Sequence, residues 1–107
     1  MSEELRFKTK IFHSLAHPIR VAIVDSLRDG ELSKQHLLAR LKEKPTNLAQ
    51  HLSYLREAGI ILGRREGDQL YYRLGERAFP EIHDLLHQCF LSKIAEARAE
   101  LEALLED

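Results

Sequence analysis

The chain has 107 residues, 44% of them hydrophobic and 31% charged, with a net charge of −1 and one cysteine. This is the balance of a single globular domain. It excludes a disordered chain, and no apolar run approaches the ~20 residues of a bilayer-spanning helix, so no membrane partner is expected. Cys89 alone permits neither an internal disulfide nor a CxxC metal or redox motif, and it reads as a small buried apolar residue.

A domain of this size is only marginally self-sufficient, which favours a dimer. The opening residues lack the apolar stretch of a secretory signal, so a cytoplasmic location is expected. A first helix is predicted from about Leu5 to Leu15, with Ile11, Phe12 and Leu15 on one side. Pro18 suits the first position of a second helix, where its absent N–H has no partner to lose. Ile19, Ala22, Ile23 and Leu27 form that helix's apolar stripe, and Asp29-Gly30 ends it. Leu32 is a short extended link. Ser33 is a candidate N-cap for a third helix to about Lys42 that turns Leu37, Leu38 and Leu41 inward. Pro45 opens a fourth helix ending at Ala58-Gly59, whose buried face is Leu48, Leu52 and Leu55. The period then changes. Ile60 to Arg65 and Leu70 to Leu74 read as a β-hairpin about Glu66-Gly67-Asp68-Gln69, with Gly67 free to take a positive φ. A long last helix is predicted from Phe79 to Leu105.

Charge is distributed unevenly along these elements. Residues 34–73 carry eight basic side chains (Lys34, Arg40, Lys42, Lys44, Arg56, Arg64, Arg65, Arg73) against Glu43, Glu57, Glu66 and Asp68. That is +4, leaving −5 elsewhere, with the stretch from Glu96 especially acidic. A basic middle between acidic ends is a footprint for a polyanion. It coincides with two short helices joined by the tight turn Lys42-Glu43-Lys44-Pro45 and followed by a basic hairpin. This is the order of a winged helix-turn-helix, whose second helix enters the major groove. With Leu48 at the centre of the buried face, ~100° per residue turns Thr46, Gln50 and Ser53 outward, with Asn47 and Tyr54 beside them and His51 at the border. Asn and Gln pair with adenine edges, and Thr bonds base edges or meets a thymine methyl. Lys44 and Arg56 are suited to neutralise phosphate, and Arg64, Arg65 and Arg73 to reach phosphate or the minor groove. Arg20 and Arg28 serve equally well as surface ion-pair members.

The expected fold class is therefore mainly α with a small β-hairpin, one domain over residues 1–107. The helix-turn-helix spans 34–58, the wing 60–74, and helices 5–15 and 79–105 dimerise. In the last helix Ile82, Leu86, Cys89, Phe90, Ile94, Ala97 and Leu101 repeat at three and four, a stripe too long for one head to cover. With Ile11 and Phe12 it is the expected homodimer interface.

Three separated motifs carry a family resemblance. Leu15-Ala16-His17-Pro18-Ile19-Arg20 is similar to the "LA(D/H)PxR" opening of ArsR/SmtB-family repressors. Thr46-Asn47-Leu48-Ala49-Gln50-His51-Leu52, followed by Leu55-Arg56-Glu57-Ala58-Gly59-Ile60-Ile61, resembles the family's "STVSxHLxxLREAGLV". Gly67 through Tyr71-Tyr72-Arg73-Leu74 resembles its "GxxxYYxL" wing strand. The resemblance covers about residues 10–75. It implies a winged helix-turn-helix homodimer that binds palindromic operators in double-stranded DNA and represses.

The family's sensing sites are not reproduced. Where its thiolate site usually lies, in "ELCVCDL", this chain has Glu31-Leu32-Ser33-Lys34-Gln35-His36-Leu37, without cysteine. Aligned from Tyr71-Tyr72, the family's zinc positions fall on Glu76, Ala78, Cys89 and Ser92, of which Ala78 and Ser92 are poor ligands. No cofactor is expected. His83 and His87, spaced i, i+4, are the remaining candidate metal pair. The preferred reading makes them partly exposed histidines turned away from the partner-facing side marked by Cys89. Two other readings stand beside the repressor: a metal sensor built on His83 and His87, and a winged-helix module that binds protein. Nothing suggests an enzyme, since no nucleophile triad, phosphate-binding glycine loop or paired carboxylates occur.

Overall fold

The computed structural model describes residues 1–106. In chain order the elements are α1 (Glu3–Ser14), α2 (Pro18–Ser26), β1 (Leu32–Ser33), α3 (Lys34–Leu41), α4 (Pro45–Glu57), β2 (Ile61–Glu66), β3 (Gln69–Leu74) and α5 (Phe79–Leu105).

The helix starts follow from local capping. Ser2 accepts the Leu5 N–H at 3.1 Å, so α1 begins at Glu3, earlier than expected, with Glu3 and Glu4 favourably placed at its positive end. His17 caps α2 through Nδ1, which accepts the Ile19 N–H at 3.1 Å, and Pro18 occupies the first turn. The Ser33 hydroxyl accepts the His36 N–H at 3.0 Å. The stops are less regular. α2 ends at Ser26, before the expected Asp29-Gly30, and a tight turn carries the chain to Gly30, whose φ is 140°. α3 ends because Lys42 takes φ 53°, ψ 38°, a left-handed conformation costing a non-glycine residue about 1–2 kcal/mol. That one residue turns the chain sharply enough for α4 to start at Pro45.

One core gathers the head. Ile23, Val24 and Leu27 of the α2 region meet Leu37 of α3, Leu48, Leu52 and Leu55 of α4, and Ile60-Ile61 at the entry to β2. Ile11 of α1, Tyr72 of β3 and Phe79 of α5 close its edges. Two expectations change here. Ile11, placed in the dimer interface by its spacing, is only 6% exposed and belongs to the core of its own chain. Cys89, read as buried, is exposed.

The strands form a three-stranded antiparallel sheet in the order β1-β3-β2, where a hairpin and a separate link were expected. Leu32 and Ser33 pair with Tyr72 and Tyr71, occupying the edge of β3 that β2 leaves open. Glu66 pairs with Gln69 across a two-residue turn in which Gly67 has φ 61°. Beyond β3 the Gly75 N–H donates to the Ile60 carbonyl at 2.8 Å. This brings the Gly75 Cα so close that a Cβ there would collide with the backbone carbonyl of Gly59.

α5 begins in the head, with Phe79 buried and Ile82 half-buried, and then leaves it. Every residue from Asp84 to Glu106 is exposed. At 27 residues the helix is about 40 Å long, and the molecule extends 67 Å along its longest axis. No helix among the described residues is long and apolar enough to cross a membrane.

The Gly75 contact gives a direct test. Gly75→Ala forces apart two backbone segments that cannot rotate out of the way, and is expected to cost about 1–3 kcal/mol. Urea denaturation checks it: a midpoint equal to wild type would mean that the strand end shifts freely.

Candidate nucleic-acid interface

Three leucines orient α4. Leu48, Leu52 and Leu55 are at most 1% exposed, so the opposite side of the helix faces outward. Thr46, Asn47, Gln50 and Ser53 are all exposed there. Among them, Asn47 lends its Nδ2 to Glu43 at a long 3.4 Å. The outward face thus presents amide and hydroxyl groups with open donors and acceptors.

The flanks of this face differ. Tyr54 is 38% exposed and lies under the guanidinium of Arg20, 4.1 Å from ring centroid to Cζ, with His13 of α1 6.2 Å away on centroids. It is part of the α1–α2–α4 junction as well as of the surface. His51 is half-buried, its ring 4.3 Å from that of His17. Burial, with His17 and Arg20 close by, pushes the His51 imidazole below its ordinary value, against a smaller opposing pull from Glu43.

The basic side chains fall into two groups. Arg64 is committed. Its guanidinium holds Glu31 in a fork at 2.6–3.1 Å, reaches Glu66 at 2.9 Å, and lies 4.6 Å over the Tyr71 ring. Arg64 is pushed well above the usual guanidinium range and Glu31 below the usual carboxylate range by this contact. In the free chain Arg64 thus ties the wing to the turn before β1, with its charge matched by Glu31 and Glu66. Arg28 is committed likewise, to Asp25 at 2.6 Å and Asp84 of α5 at 2.8 Å. Lys44, Arg56, Arg65 and Arg73 are exposed and form no ion pair among the described residues. Lys44 stands at the start of α4, Arg56 in its last turn, and Arg65 and Arg73 on the strands of the wing.

The last helix carries the expected stripe. Leu86 is 63% exposed, Phe90 57%, Ile94 45% and Leu101 57%, while Phe12 of α1 is 63% exposed beside its start. Ala97 and Cys89 are also exposed, and Ile82 alone leans on the head. Phe12, Leu15, Val21, Val24, Phe79, Ile82, His83 and Leu86 line one apolar groove between α1, α2 and α5. His83 therefore lies on the same side as Ile82 and Leu86. His83 was expected on the side away from the partner, a direction taken from Cys89, which stands at one margin of the stripe. Among the described residues no group of three or more His, Cys, Asp or Glu side chains is placed to hold a metal ion. Asp84, between His83 and His87 in sequence, is engaged by Arg28.

Sequence reasoning missed the Arg64–Glu31 clamp, the Arg28–Asp84 tie and the His17–His51 contact. Each joins residues more than 30 positions apart, and no local pattern signals such pairs.

Comparison with known proteins supports the same architecture. Residues 17–61 match the family described as "Bacterial regulatory protein, arsR family". The biofilm growth-associated repressor of Agrobacterium fabrum is 39% identical over 80 residues, 75% of this chain and 68% of that protein. The structure of HlyU from Vibrio cholerae superposes with a TM-score of 0.75 at 28% identity, covering 85% of this chain and 99% of that one. The transcriptional repressor BigR from Xylella fastidiosa gives 0.72 at 32% identity, covering 84% and 97%. The chain belongs to the arsR family of bacterial regulatory proteins, DNA-binding transcription regulators of the winged helix-turn-helix fold.

Proposed function

We propose that the chain acts as a homodimeric repressor that binds an inverted-repeat operator, with α4 in the major groove and the β2–β3 wing against the backbone. The observation that carries this reading is the composition of the outward α4 face. Thr46, Asn47, Gln50 and Ser53 supply base-reading groups, flanked by the unpaired cations Lys44, Arg56, Arg65 and Arg73. His51 and Tyr54 border the same face. Repression, as distinct from activation, is supported by the Agrobacterium and Xylella relatives, both named as repressors.

The dimer is supported by α5. Leu86, Phe90, Ile94, Ala97 and Leu101 stand clear of the head with Cys89 among them, and Phe12 and Ile82 continue the stripe on to it. Leaving each large side chain in water forgoes on the order of 1.5–3 kcal/mol. A second copy covers the stripe, and a two-fold pairing places two α4 helices to read a palindrome. The family's usual thiolate position carries no cysteine here, and Ala78 and Ser92 at two of its four zinc positions are poor ligands, which supports a repressor that responds to a non-metal signal or to no small ligand.

Binding to an operator selected from random duplexes is expected to weaken steeply with salt, because phosphate neutralisation releases counterions. Gln50→Ala is expected to relax base preference at one position of each half-site, whereas Arg65→Ala weakens all duplexes about equally. Selection repeated with each variant checks this. An unchanged consensus for Gln50→Ala would place the reading face elsewhere.

Removing α5 from Ala78 onward also deletes Phe79 from the core, so truncation confounds dimerisation with folding. Phe90→Glu combined with Ile94→Glu leaves the head intact and is expected to give a folded monomer at micromolar concentration, with greatly weakened operator binding. Sedimentation equilibrium decides: a variant that stays dimeric, or a wild type that runs as a monomer, removes α5 from the interface.

A further inference from the structure

Arg28 and Arg64 each have carboxylates at 2.6–3.1 Å, but Arg20 has none among the described residues. Its guanidinium is stacked on Tyr54, and Nε and Nη1 are shut away from water without a hydrogen-bond partner. Beside it, the rings of His17 and His51 meet at 4.3 Å. Three nitrogen-rich side chains from α2 and α4 thus converge at the border of the α4 reading face. Among the described residues the charged or titratable groups around them are His13 of α1 against Tyr54, Lys10 and Glu57, which line a cleft with Tyr54, Glu43 in the turn before α4, and Tyr54 itself. Glu43 forms no ion pair with any of the three and accepts instead from Asn47.

We infer that Arg20, His17 and His51 form a binding site for a DNA backbone phosphate at the junction of α2 and α4, and that phosphate binding there is coupled to proton uptake by His51. The inference rests on the DNA-binding mode proposed above and names a contact that mode does not contain. Buried donors without acceptors cost about 1–3 kcal/mol each, and a movement of the Arg20 side chain off Tyr54 that brings Nε and Nη1 to an anion offsets that cost.

The proton is assigned to His51 by hydrogen bonding. His17 Nδ1 accepts the Ile19 N–H, so it carries no proton and its tautomer is fixed with hydrogen on Nε2. Protonating Nδ1 would break the cap of α2. His51 has no such bond. In the free protein burial, with His17 and the Arg20 guanidinium close by, pushes His51 below its ordinary value. A phosphate at the same place reverses the sign of the local field and favours the imidazolium. The complex therefore holds more protons than the free protein, and affinity rises as pH falls through the range between the two His51 values.

The test uses the full-length chain and a selected operator duplex at fixed ionic strength between pH 5.5 and 8. The wild type is expected to bind up to about tenfold more tightly per pH unit per protomer on acidification. His51→Gln is expected to flatten that profile, and His13→Gln to keep it. Arg20→Gln should lower affinity at every pH and reduce the slope of log affinity against log salt by about one, with partial recovery in Arg20→Lys. Ring-proton NMR of His51 supplies a readout independent of how the arginine variants fold: its titration should move to higher pH when duplex is added. A His51 titration unmoved by duplex, or equal pH profiles for wild type and His51→Gln, overturns the inference while leaving the proposed function standing. Failure of the wild type to bind any duplex overturns both.

Discussion

The position of every outward group on α4 depends on Leu48, Leu52 and Leu55 being buried beneath it. Each contributes on the order of 1.5–3 kcal/mol by leaving water. A rotation of the helix by one residue, ~100°, would swing all three away from the core and bring Asn47 or Ala49 into their place. The surrounding core repeats the constraint, because Ile23 and Leu27 of the α2 region and Leu37 of α3 are as deeply buried. The outward set of amides and hydroxyls is thus fixed by packing on the opposite side of the helix, several ångströms from anything a ligand touches.

Electrostatics refines what packing presents. Counting charges along the sequence gives the middle of the chain an excess of four positives, but the fold redistributes them. Arg64 is matched by Glu31 and Glu66, and the pair, still largely solvated, contributes little to stability. Its effect is geometric. Arg64 fastens the wing to the turn before β1, and the alternation of β2 sends the next residue, Arg65, to the other face of the strand. Arg28 performs a similar task between α2 and α5. Lys44 and Arg56 at the two ends of α4, and Arg65 and Arg73 on the wing, form no ion pair among the described residues, a distribution that the net charge of −1 conceals.

Most of the architecture was legible because it is written in local signals. Pro18, Ser33 and Pro45 mark three helix starts, the leucine spacing of α4 marks its buried face, and Gly67 marks the wing turn. The bounds of α5 were read from Phe79 to Leu105 as they occur. What escaped was non-local or depended on one unusual residue. Leu32-Ser33 is too short to signal a strand, and pairs with β3 only because the fold brings an open edge to it. Lys42 gives no hint that it adopts the left-handed turn between α3 and α4. Ile11 and Phe12 are neighbours of similar hydrophobicity, yet one is core and the other 63% exposed, a difference set by the tilt of α1 against the head. The outward α4 residues, by contrast, fell where periodicity placed them.

The remaining structural question is what aims the head relative to α5. Within one chain the helix is anchored by Phe79, by Ile82 and by the Arg28–Asp84 pair, all within its first two turns. Past Asp84 the described residues of α5 are all exposed. In the proposed dimer the two α5 helices meet along their exposed stripe, so those two turns, with Phe12 of α1 beside them, would help to set the distance between the two α4 helices. In that dimer a change in the groove lined by Phe12, Ile82, His83 and Leu86 would alter the spacing of the two α4 helices. Half-site spacing is fixed by the pitch of the duplex, so a small tilt at this anchor is enough to remove one head from register.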